Sequence, residues 1–212
     1  MQVLLLGASG MVGQGVLREC LLDPRVDKVL SLGRSKTGQQ HPKLEEADIR
    51  DLDSLDLAAY DACFFCLGVS SAGMSEDDYR RVTYDLTLDV ARKIATPRMT
   101  FIYVSGAGTD STERGRTMWA RVKGATENAL LALPFKAAYM FRPALIQPLH
   151  GIRSRTTSYR VFYAITRPLL PVLKRMLPKY VTTTEQVGRA MINVAANGAP
   201  KTILESEDIN RL

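Results

Sequence analysis

The chain has 212 residues, of which 46% are hydrophobic and 24% charged, a composition that fits one folded domain with a sizeable core and does not favour disorder. No apolar run reaches the roughly 18 residues of a membrane-spanning helix, and the apolar N-terminal run is too short for a signal peptide. Three cysteines, an odd number, argue against a disulfide framework, so we expect a cytoplasmic location.

The net charge of +6 is unevenly distributed along the chain. Residues 128–184 contain nine Lys and Arg and no Asp or Glu, so an anionic partner is expected at this part of the chain. We expect a single domain over residues 1–212, with residues 148–182 forming a basic lid or substrate segment.

The first predicted element is a buried strand, QVLLLG, followed by a glycine turn and a helix over Met11–Leu22. The glycines have the spacing G-x-x-G-x-x-G, a variant of the dinucleotide fingerprint, in which N-H groups at a helix start bind a pyrophosphate. A merely structural turn is the alternative. The predicted cofactor-binding residues of this turn are Gly7, Ser9, Gly10, Met11, Val12 and Gly13.

The second strand, VDKVLSLG, leads into Arg34, Ser35 and Lys36, with no acid in reach. Cationic groups at this position suit the 2′-phosphate of NADP, whereas NAD sites use a carboxylate, so NADP is predicted and NAD is less favoured. A solvated surface loop is the alternative interpretation. Asp48, with Ile49 after it, ends a third strand, where Asp48 either accepts a hydrogen bond from the adenine amino group or caps a helix.

The fourth strand, DACFFCLG, is followed by Leu67, Gly68 and Val69, which we expect close to the ribose and pyrophosphate of the cofactor. Cys63 and Cys66 are three residues apart in this strand and are therefore predicted to point to opposite faces. Buried apolar cysteines are favoured over a redox pair.

The remaining pattern alternates helices and strands. A four-residue repeat of Val82, Leu86, Val90 and Ile94 predicts one helix, the strand TFIYVSG follows, and a helix over residues 118–133 precedes the strand AAYMFRP. Strands that are apolar on both faces and separated by helices predict a doubly wound parallel sheet, the Rossmann-like α/β class. After Pro143, prolines predict short interrupted helices as far as about residue 180, and a final helix over residues 184–196 ends at Asn197-Gly198.

In chain order, the GASGMVG turn, the LGRS and YVSGAG strand ends, the MWARVKG helix and the FRPALI strand resemble the atypical short-chain dehydrogenase/reductases. That family includes the NAD-dependent epimerase/dehydratase-like and NmrA-like proteins. The stretch MINVAANGAPKTILESEDINRL looks most like the Tat-interacting-protein oxidoreductase branch. The resemblance covers nearly the whole chain except residues 153–180, and it implies an oxidoreductase.

The resemblance also implies site residues. It places the catalytic Ser at Ser105 and the ribose-binding Lys at Lys123, and it puts Trp119 where the family has a catalytic Tyr. An indole N-H donates a hydrogen bond but does not exchange its proton near neutral pH, so Trp119 can position a substrate without transferring a proton. Pro143 is similar to the family's proline beside the nicotinamide.

His150, just after the sixth strand, is a candidate replacement for the missing proton donor because the imidazole pKa lies near neutrality. Tyr159 and Tyr163 are weaker candidates for the same role.

Two functions follow from these residues. The first is an NADP-dependent oxidoreductase acting on a small carbonyl or anionic substrate, and the second is a catalytically weak or inactive NADP-binding redox sensor with a protein partner. Membrane attachment through SYRVFYAITRPLLPVLKRMLPKY is less favoured because its prolines interrupt an amphipathic helix. No metal-binding or nucleic-acid-binding pattern is visible in the sequence, and a homodimer stays open.

Overall fold

A computed structural model describes residues 1–152 and 179–212. The strands are β1 (Gln2–Leu6), β2 (Lys28–Gly33), β3 (Leu44–Asp48), β4 (Ala62–Phe65), β5 (Thr100–Val104), β6 (Ala137–Arg142), β7 (Leu145–Gln147), β8 (Val181–Thr183) and β9 (Ile203–Glu205). The α-helices are α1 (Met11–Leu22), α2 (Glu76–Arg80), α3 (Leu86–Ile94), α4 (Met118–Leu131), α5 (Thr184–Asn197) and α6 (Ser206–Arg211). A 3-10 helix spans Ile49–Ser54, and a π-helical turn, Arg81–Asp85, joins α2 to α3.

Seven of the strands form one sheet in the order β3-β2-β1-β4-β5-β6-β9, and every pairing is parallel. The strand order reverses between β1 and β4, where Val3 pairs with Val29 on one side and Ala62 on the other. Open α/β sheets bind ligands in the crevice outside such a reversal point, at the carboxyl ends of the strands. The predicted doubly wound parallel sheet is confirmed.

The two faces of the sheet carry separate apolar cores. In β1, Val3 and Leu5 face α1 and α5, whereas Leu4 and Leu6 face α3 and α4, and all four side chains have no exposed surface. Burying each such side chain contributes about 1.5–3 kcal/mol, so a strand that is apolar on both faces is stable only between two helical layers. This burial explains why the strands have runs of apolar residues rather than alternation.

Three short strands differ from the sequence prediction. The prolines after Pro143 predict short helices, yet Leu145–Gln147 pairs in parallel with Val181–Thr183 as a separate two-stranded sheet. Ile203–Glu205 extends the main sheet beside β6. Segments of three residues are too short to show a period in sequence, and long-range pairing alone defines them as strands.

The four-residue repeat of the predicted helix is only half buried. Val90 and Ile94 are buried, whereas Val82 is 40% exposed and Leu86 is 42% exposed. Four residues turn an α-helix by about 40° more than one full turn, so a four-residue repeat drifts off the buried face within two steps. The buried face of α3 instead includes Thr87, Leu88 and Ala91.

Helices α1 and α5 pack closely because glycines occupy their contact. A β-carbon on Gly15 would lie 2.6 Å from the Cβ atom of Thr184, and one on Gly188 would lie 2.8 Å from the Cγ atom of Glu19. Side chains larger than hydrogen do not fit at either position without moving a helix. This contact fixes α1, and with it the glycine turn that precedes α1.

The cysteines lie as predicted. Cys63 is buried in the core beside α3 and α4, whereas Cys66, just after β4, packs against the opposite core. Cys20, Cys63 and Cys66 are all free thiols. Burial raises the pKa of each thiol, to about 12 for Cys66.

Several expectations fall on the part of the chain that is not described. Most of the basic segment 148–182 lies outside the described residues, as do Tyr159 and Tyr163. Among the helices of the two described ranges, none is long and apolar enough to cross a membrane.

We predict that Gly15→Ala lowers the free energy of unfolding by about 2 kcal/mol, because the added methyl group overlaps the Thr184 backbone and side chain. Gly33→Ala is the control, since the nearest atom to its β-carbon is 3.8 Å away. Urea denaturation followed by circular dichroism measures both. Equal unfolding midpoints for the two variants would contradict the tight α1-α5 contact.

We further predict that the folded protein resists alkylation by iodoacetamide at about pH 8, because with a pKa of about 12 only about one Cys66 in ten thousand is ionised. In urea, all three thiols should react at the rate of a free cysteine. Peptide mass spectrometry identifies the labelled positions, and fast labelling of Cys66 in buffer would contradict the burial of its thiol.

Candidate functional site

The glycine turn lies at the reversal point of the sheet, between β1 and α1. Gly7 has a φ of 84°, and a β-carbon on it would lie 2.7 Å from the backbone carbonyl carbon of Cys66. A β-carbon on Gly13 would lie 2.0 Å from the carbonyl oxygen of Gly7. The packing of the backbone therefore requires glycine at both positions with or without a ligand.

The start of α1 is open to an anion. Gly10 is the N-cap, its N-H donates to the Gly7 carbonyl oxygen at 2.9 Å, and no side chain of the described residues caps the helix. The first-turn N-H groups of Met11, Val12 and Gly13 have no acceptor within the helix, and the helix dipole adds partial positive charge there. The turn is held by Gln14, whose Nε2 atom donates to the Ser9 carbonyl oxygen at 3.0 Å. The turn therefore has a structural role and also leaves backbone donors at the start of α1 that could bind an anion.

Arg34, Ser35 and Lys36 directly follow β2, the strand beside β1, and all three are exposed. Within residues 1–152 and 179–212, neither cation forms an ion pair. The far end of the loop is anchored, since the Thr37 N-H donates to the Glu46 carboxylate at 2.6 Å. The two cations are therefore available to an anionic group at this edge of the sheet.

Asp48 acts as a helix cap, one of the two roles predicted for it. Its carboxylate accepts from the Arg50 backbone N-H at 2.9 Å and pairs with the Arg50 guanidinium at 2.6 Å. Hydrogen bonds from the Arg50 side chain lower the pKa of Asp48 to about 2. Ile49 follows it, half-buried against the core beside α3. Contact of Asp48 with an adenine stays a prediction.

Leu67, Gly68 and Val69 border the glycine turn. The Leu67 N-H nitrogen would lie 2.8 Å from a β-carbon on Gly7, so the chain leaving β4 touches the turn directly. Around Gly68 the space is open, since no other atom of residues 1–152 and 179–212 lies within 4 Å of its β-carbon position apart from its chain neighbours, and Val69 is 49% exposed. This loop forms one wall of the crevice at the reversal point of the sheet, between the carboxyl ends of β1 and β4.

Lys123 and Ser105 meet at the end of β5. The Lys123 Nζ atom donates to the backbone carbonyl oxygen of Ser105. Burial lowers the pKa of Lys123 to about 8, although the charge of Glu127 acts in the opposite direction. A β-carbon on Gly106 would lie 4.0 Å from Nζ, so the ammonium group lies against the backbone that leaves β5.

The hydroxyl of Ser105 is committed to a buried partner. Ser105 is 5% exposed, and its Oγ atom donates to the Glu127 carboxylate at 2.5 Å. Its predicted role in holding a substrate carbonyl stays a prediction, because the hydroxyl lies within hydrogen-bond distance of the Glu127 carboxylate and, at 3.2 Å, of the Phe141 carbonyl oxygen.

Sequence reasoning missed the ion pair of Glu127 and Arg142. Glu127 has no exposed surface, and the Arg142 Nε atom donates to its two oxygens at 3.1 and 3.2 Å. One signal was available in the sequence, since an arginine inside the apolar strand AAYMFR needs a buried acid as partner. The sequence alone does not identify which acid that is.

Trp119 lies on α4 one turn before Lys123 and is half-buried. Its indole ring packs against Gly108, where a β-carbon would lie 3.3 Å from the ring. Among the described residues, the indole N-H has no hydrogen-bond acceptor. It remains able to donate to a substrate.

Pro143 and His150 lie in different surroundings. Pro143 is buried, and its carbonyl oxygen accepts from the Ala107 N-H at 3.0 Å, beside the Lys123 group. His150 adopts a φ of 56°, and its Nε2 atom lies 2.7 Å from the carboxylate of Glu185 at the start of α5. The structure thus brings Pro143 to the predicted site, whereas the imidazole of His150 is paired with α5.

Comparison with known proteins found no matching family model. The chain is 28% identical over 157 residues to the mitochondrial protein fmp52 of Emericella nidulans, covering 68% of this chain and 66% of that protein. It is 29% identical over 152 residues to the protein HTATIP2 of Rattus norvegicus, covering 68% of this chain and 62% of that protein. The matched part therefore spans slightly less than two thirds of each relative.

Among solved structures, a short-chain dehydrogenase/reductase superfamily protein from Agrobacterium tumefaciens with bound NAD aligns with a TM-score of 0.65. The alignment covers 97% of this chain and 77% of that chain at 12% sequence identity, which establishes the shared fold.

The expectation of a cytoplasmic location is contradicted by the relatives. The FMP52 proteins of several fungi that match this chain are named as mitochondrial. The low cysteine content, on which the expectation rested, does not distinguish the cytoplasm from a reducing mitochondrial compartment.

The motifs of the chain follow one another in the family's order, and the sequence relatives and the fold agree with them. In sequence pattern and in fold, the chain is therefore similar to the atypical short-chain dehydrogenase/reductases.

Proposed function

We propose that this protein is an NADP(H)-binding oxidoreductase that acts on a small carbonyl or anionic substrate. One observation carries the proposal: the start of α1, without a side-chain cap, follows β1 at the reversal point of the sheet, and Arg34 and Lys36, which form no ion pair among the described residues, follow the neighbouring strand β2. Support for a nicotinamide cofactor also comes from the structural neighbour, which was solved with NAD.

The residues of the crevice fit a dinucleotide. The N-H groups of Met11, Val12 and Gly13 would hold the pyrophosphate, since they are oriented donors at a positive helix end. Gly68 offers the open space that close approach of a ribose needs. Lys123 would bond the ribose hydroxyls beside the nicotinamide, next to the backbone of Gly106 and Pro143.

The preference for NADP over NAD rests on the charge at the end of β2. A 2′-phosphate would meet the guanidinium of Arg34 and the ammonium of Lys36, which form no ion pair among the described residues and therefore need not break one to bind it. An NAD-type carboxylate is missing from this loop, where Glu46 instead accepts from the Thr37 backbone.

When bound, a nicotinamide cofactor supplies or accepts a hydride. The protein must then provide a proton donor or acceptor and orient the substrate. Lys123, with a pKa of about 8, exchanges protons near neutral pH, and efficient general acids have a pKa near the working pH. Trp119 would orient a substrate through its indole N-H.

A second function is favoured by the same side chains. Trp119 has no acidic hydroxyl, and the Ser105 hydroxyl is bonded to Glu127. A protein that binds NADP(H) but transfers hydride slowly would suit redox sensing, with the bound state transmitted to a protein partner. Activity measurements separate this alternative from the oxidoreductase.

We predict that Arg34→Ala weakens NADPH binding by about 10- to 100-fold, the loss expected for one charge-assisted hydrogen bond to phosphate. NADH binding should change by less than about twofold, because NADH lacks the 2′-phosphate. Isothermal titration calorimetry measures both constants. Arg98→Ala is the control, since Arg98 is equally cationic and exposed but precedes β5, at the opposite edge of the sheet. Equal losses for the two cofactors would refute the NADP preference.

We also predict that Trp119→Tyr raises NADPH-dependent reduction of small aldehydes and ketones by about 100-fold, the usual contribution of a positioned general acid. Trp119→Phe, which removes the indole without adding a phenol, should show no gain. Loss of NADPH absorbance gives the rates. Measurable wild-type turnover supports the oxidoreductase, whereas a wild-type rate of zero with activity only in the Tyr variant would support the sensor.

A further inference from the structure

The buried ion pair of Glu127 and Arg142 lies next to Lys123 and has no role in the proposed chemistry. Glu127 lies on α4 one turn after Lys123 and has no exposed surface. Its carboxylate accepts from the Ser105 hydroxyl at 2.5 Å and from the Arg142 Nε atom at 3.1 Å. A buried carboxylate is costly unless such donors surround it, so this arrangement constrains all the groups that take part.

The bonds of Glu127 join three elements of the fold. Ser105 follows β5, Arg142 is the last residue of β6, and Glu127 belongs to α4. The backbone of Ser105 is also fixed to β6, because its N-H donates to the Phe141 carbonyl oxygen at 2.9 Å. The carbonyl oxygen of the same Ser105 accepts the hydrogen bond from Lys123. Arg142, Glu127, Ser105 and Lys123 therefore form one continuous chain of hydrogen bonds.

We propose that Glu127 is a positioning residue, which fixes the Ser105 carbonyl oxygen and thereby holds the Lys123 ammonium group where it would meet the nicotinamide ribose. This role rests on the proposed cofactor site. Glu127 itself touches neither cofactor nor substrate in this proposal. It acts through Ser105.

The electrostatics of the group agree with the geometry. Burial lowers the pKa of Lys123 to about 8, and the negative charge of Glu127 limits that fall. The other charged or titratable groups around Glu127 are Arg142, Tyr103, which is buried on β5, and Glu205, whose carboxylate lies 3.7 Å from the Arg142 guanidinium. Without the charge of Glu127, burial alone acts on Lys123 and disfavours its charged form.

The test compares Glu127→Gln with the wild-type chain. An amine-acylating reagent is applied across a pH series, and mass spectrometry of the Lys123 peptide gives the pH at which labelling is half-maximal. We expect that midpoint to move down by about one pH unit, and the Kd for NADPH to rise at least fivefold. The labelling uses the protein without cofactor, so it measures the protonation of Lys123 independently of the proposed function.

Glu19→Gln is the matched control. Glu19 is also a buried carboxylate paired with an arginine, at 3.1 Å from the Arg189 Nε atom, but it lies on α1 and contacts α5. It should lose stability much as Glu127→Gln does, while the Lys123 midpoint stays at its wild-type value.

Ser105→Ala keeps the test decisive if Glu127→Gln fails to fold, because it removes the link to Glu127 and leaves both charges in place. We expect a smaller shift of the Lys123 midpoint in the same direction. Unshifted Lys123 midpoints in every folded variant of Glu127 or Ser105 would overturn the positioning role. Shifted midpoints in a protein whose wild type binds no NADPH would instead overturn the cofactor site and leave the control of Lys123 by Glu127 standing.

Discussion

The crevice of this protein depends on one steric constraint, the approach of α1 to the strand that precedes it. A β-carbon on Gly13 would lie 2.0 Å from the carbonyl oxygen of Gly7, so only glycine lets the helix start so close to the end of β1. The same helix is held from behind at Gly15, where it contacts Thr184 of α5. These contacts aim the first N-H groups of α1, which no side chain of the described residues caps, across the reversal point of the sheet, where backbone alone could bind an anion.

The positive charge at the two ends of the crevice has different sources. At the glycine turn, oriented backbone donors and a helix dipole supply the positive charge, and no buried side-chain charge is needed. At the Lys123 end, the positive charge belongs to a side chain, and a buried carboxylate must balance it and Arg142. Removing the charges of Glu127 and Arg142 from water costs free energy. The pair therefore contributes more to the positions of the groups that it binds than to the free energy of unfolding. A dinucleotide would bridge these two kinds of site.

Local signals in the sequence were enough to predict much of the fold. The apolar strands, the glycine turn and the C-terminal stop at Gly198 each follow from backbone chemistry over a few residues, and all three match the structure. The three-residue strands and the partner of Arg142 depend on contacts between distant parts of the chain, which no local period reveals. The structure brings Ser105 and Lys123 into contact, but the motif did not show that the Ser105 hydroxyl faces Glu127.

The small sheet of β7 and β8 brings together two points of the chain that are far apart in sequence. Leu145 pairs with Val181, and the Leu149 N-H donates to Thr184 at 3.1 Å, so the residues on both sides of positions 153–178 are tied to the same place beside α5. Parallel strands require a long connection between them. Closing a connection costs only about 0.6 kcal/mol more for each doubling of its length. The connection between β7 and β8 can therefore vary in length at little cost in free energy, while the crevice between β1 and α1 keeps its geometry.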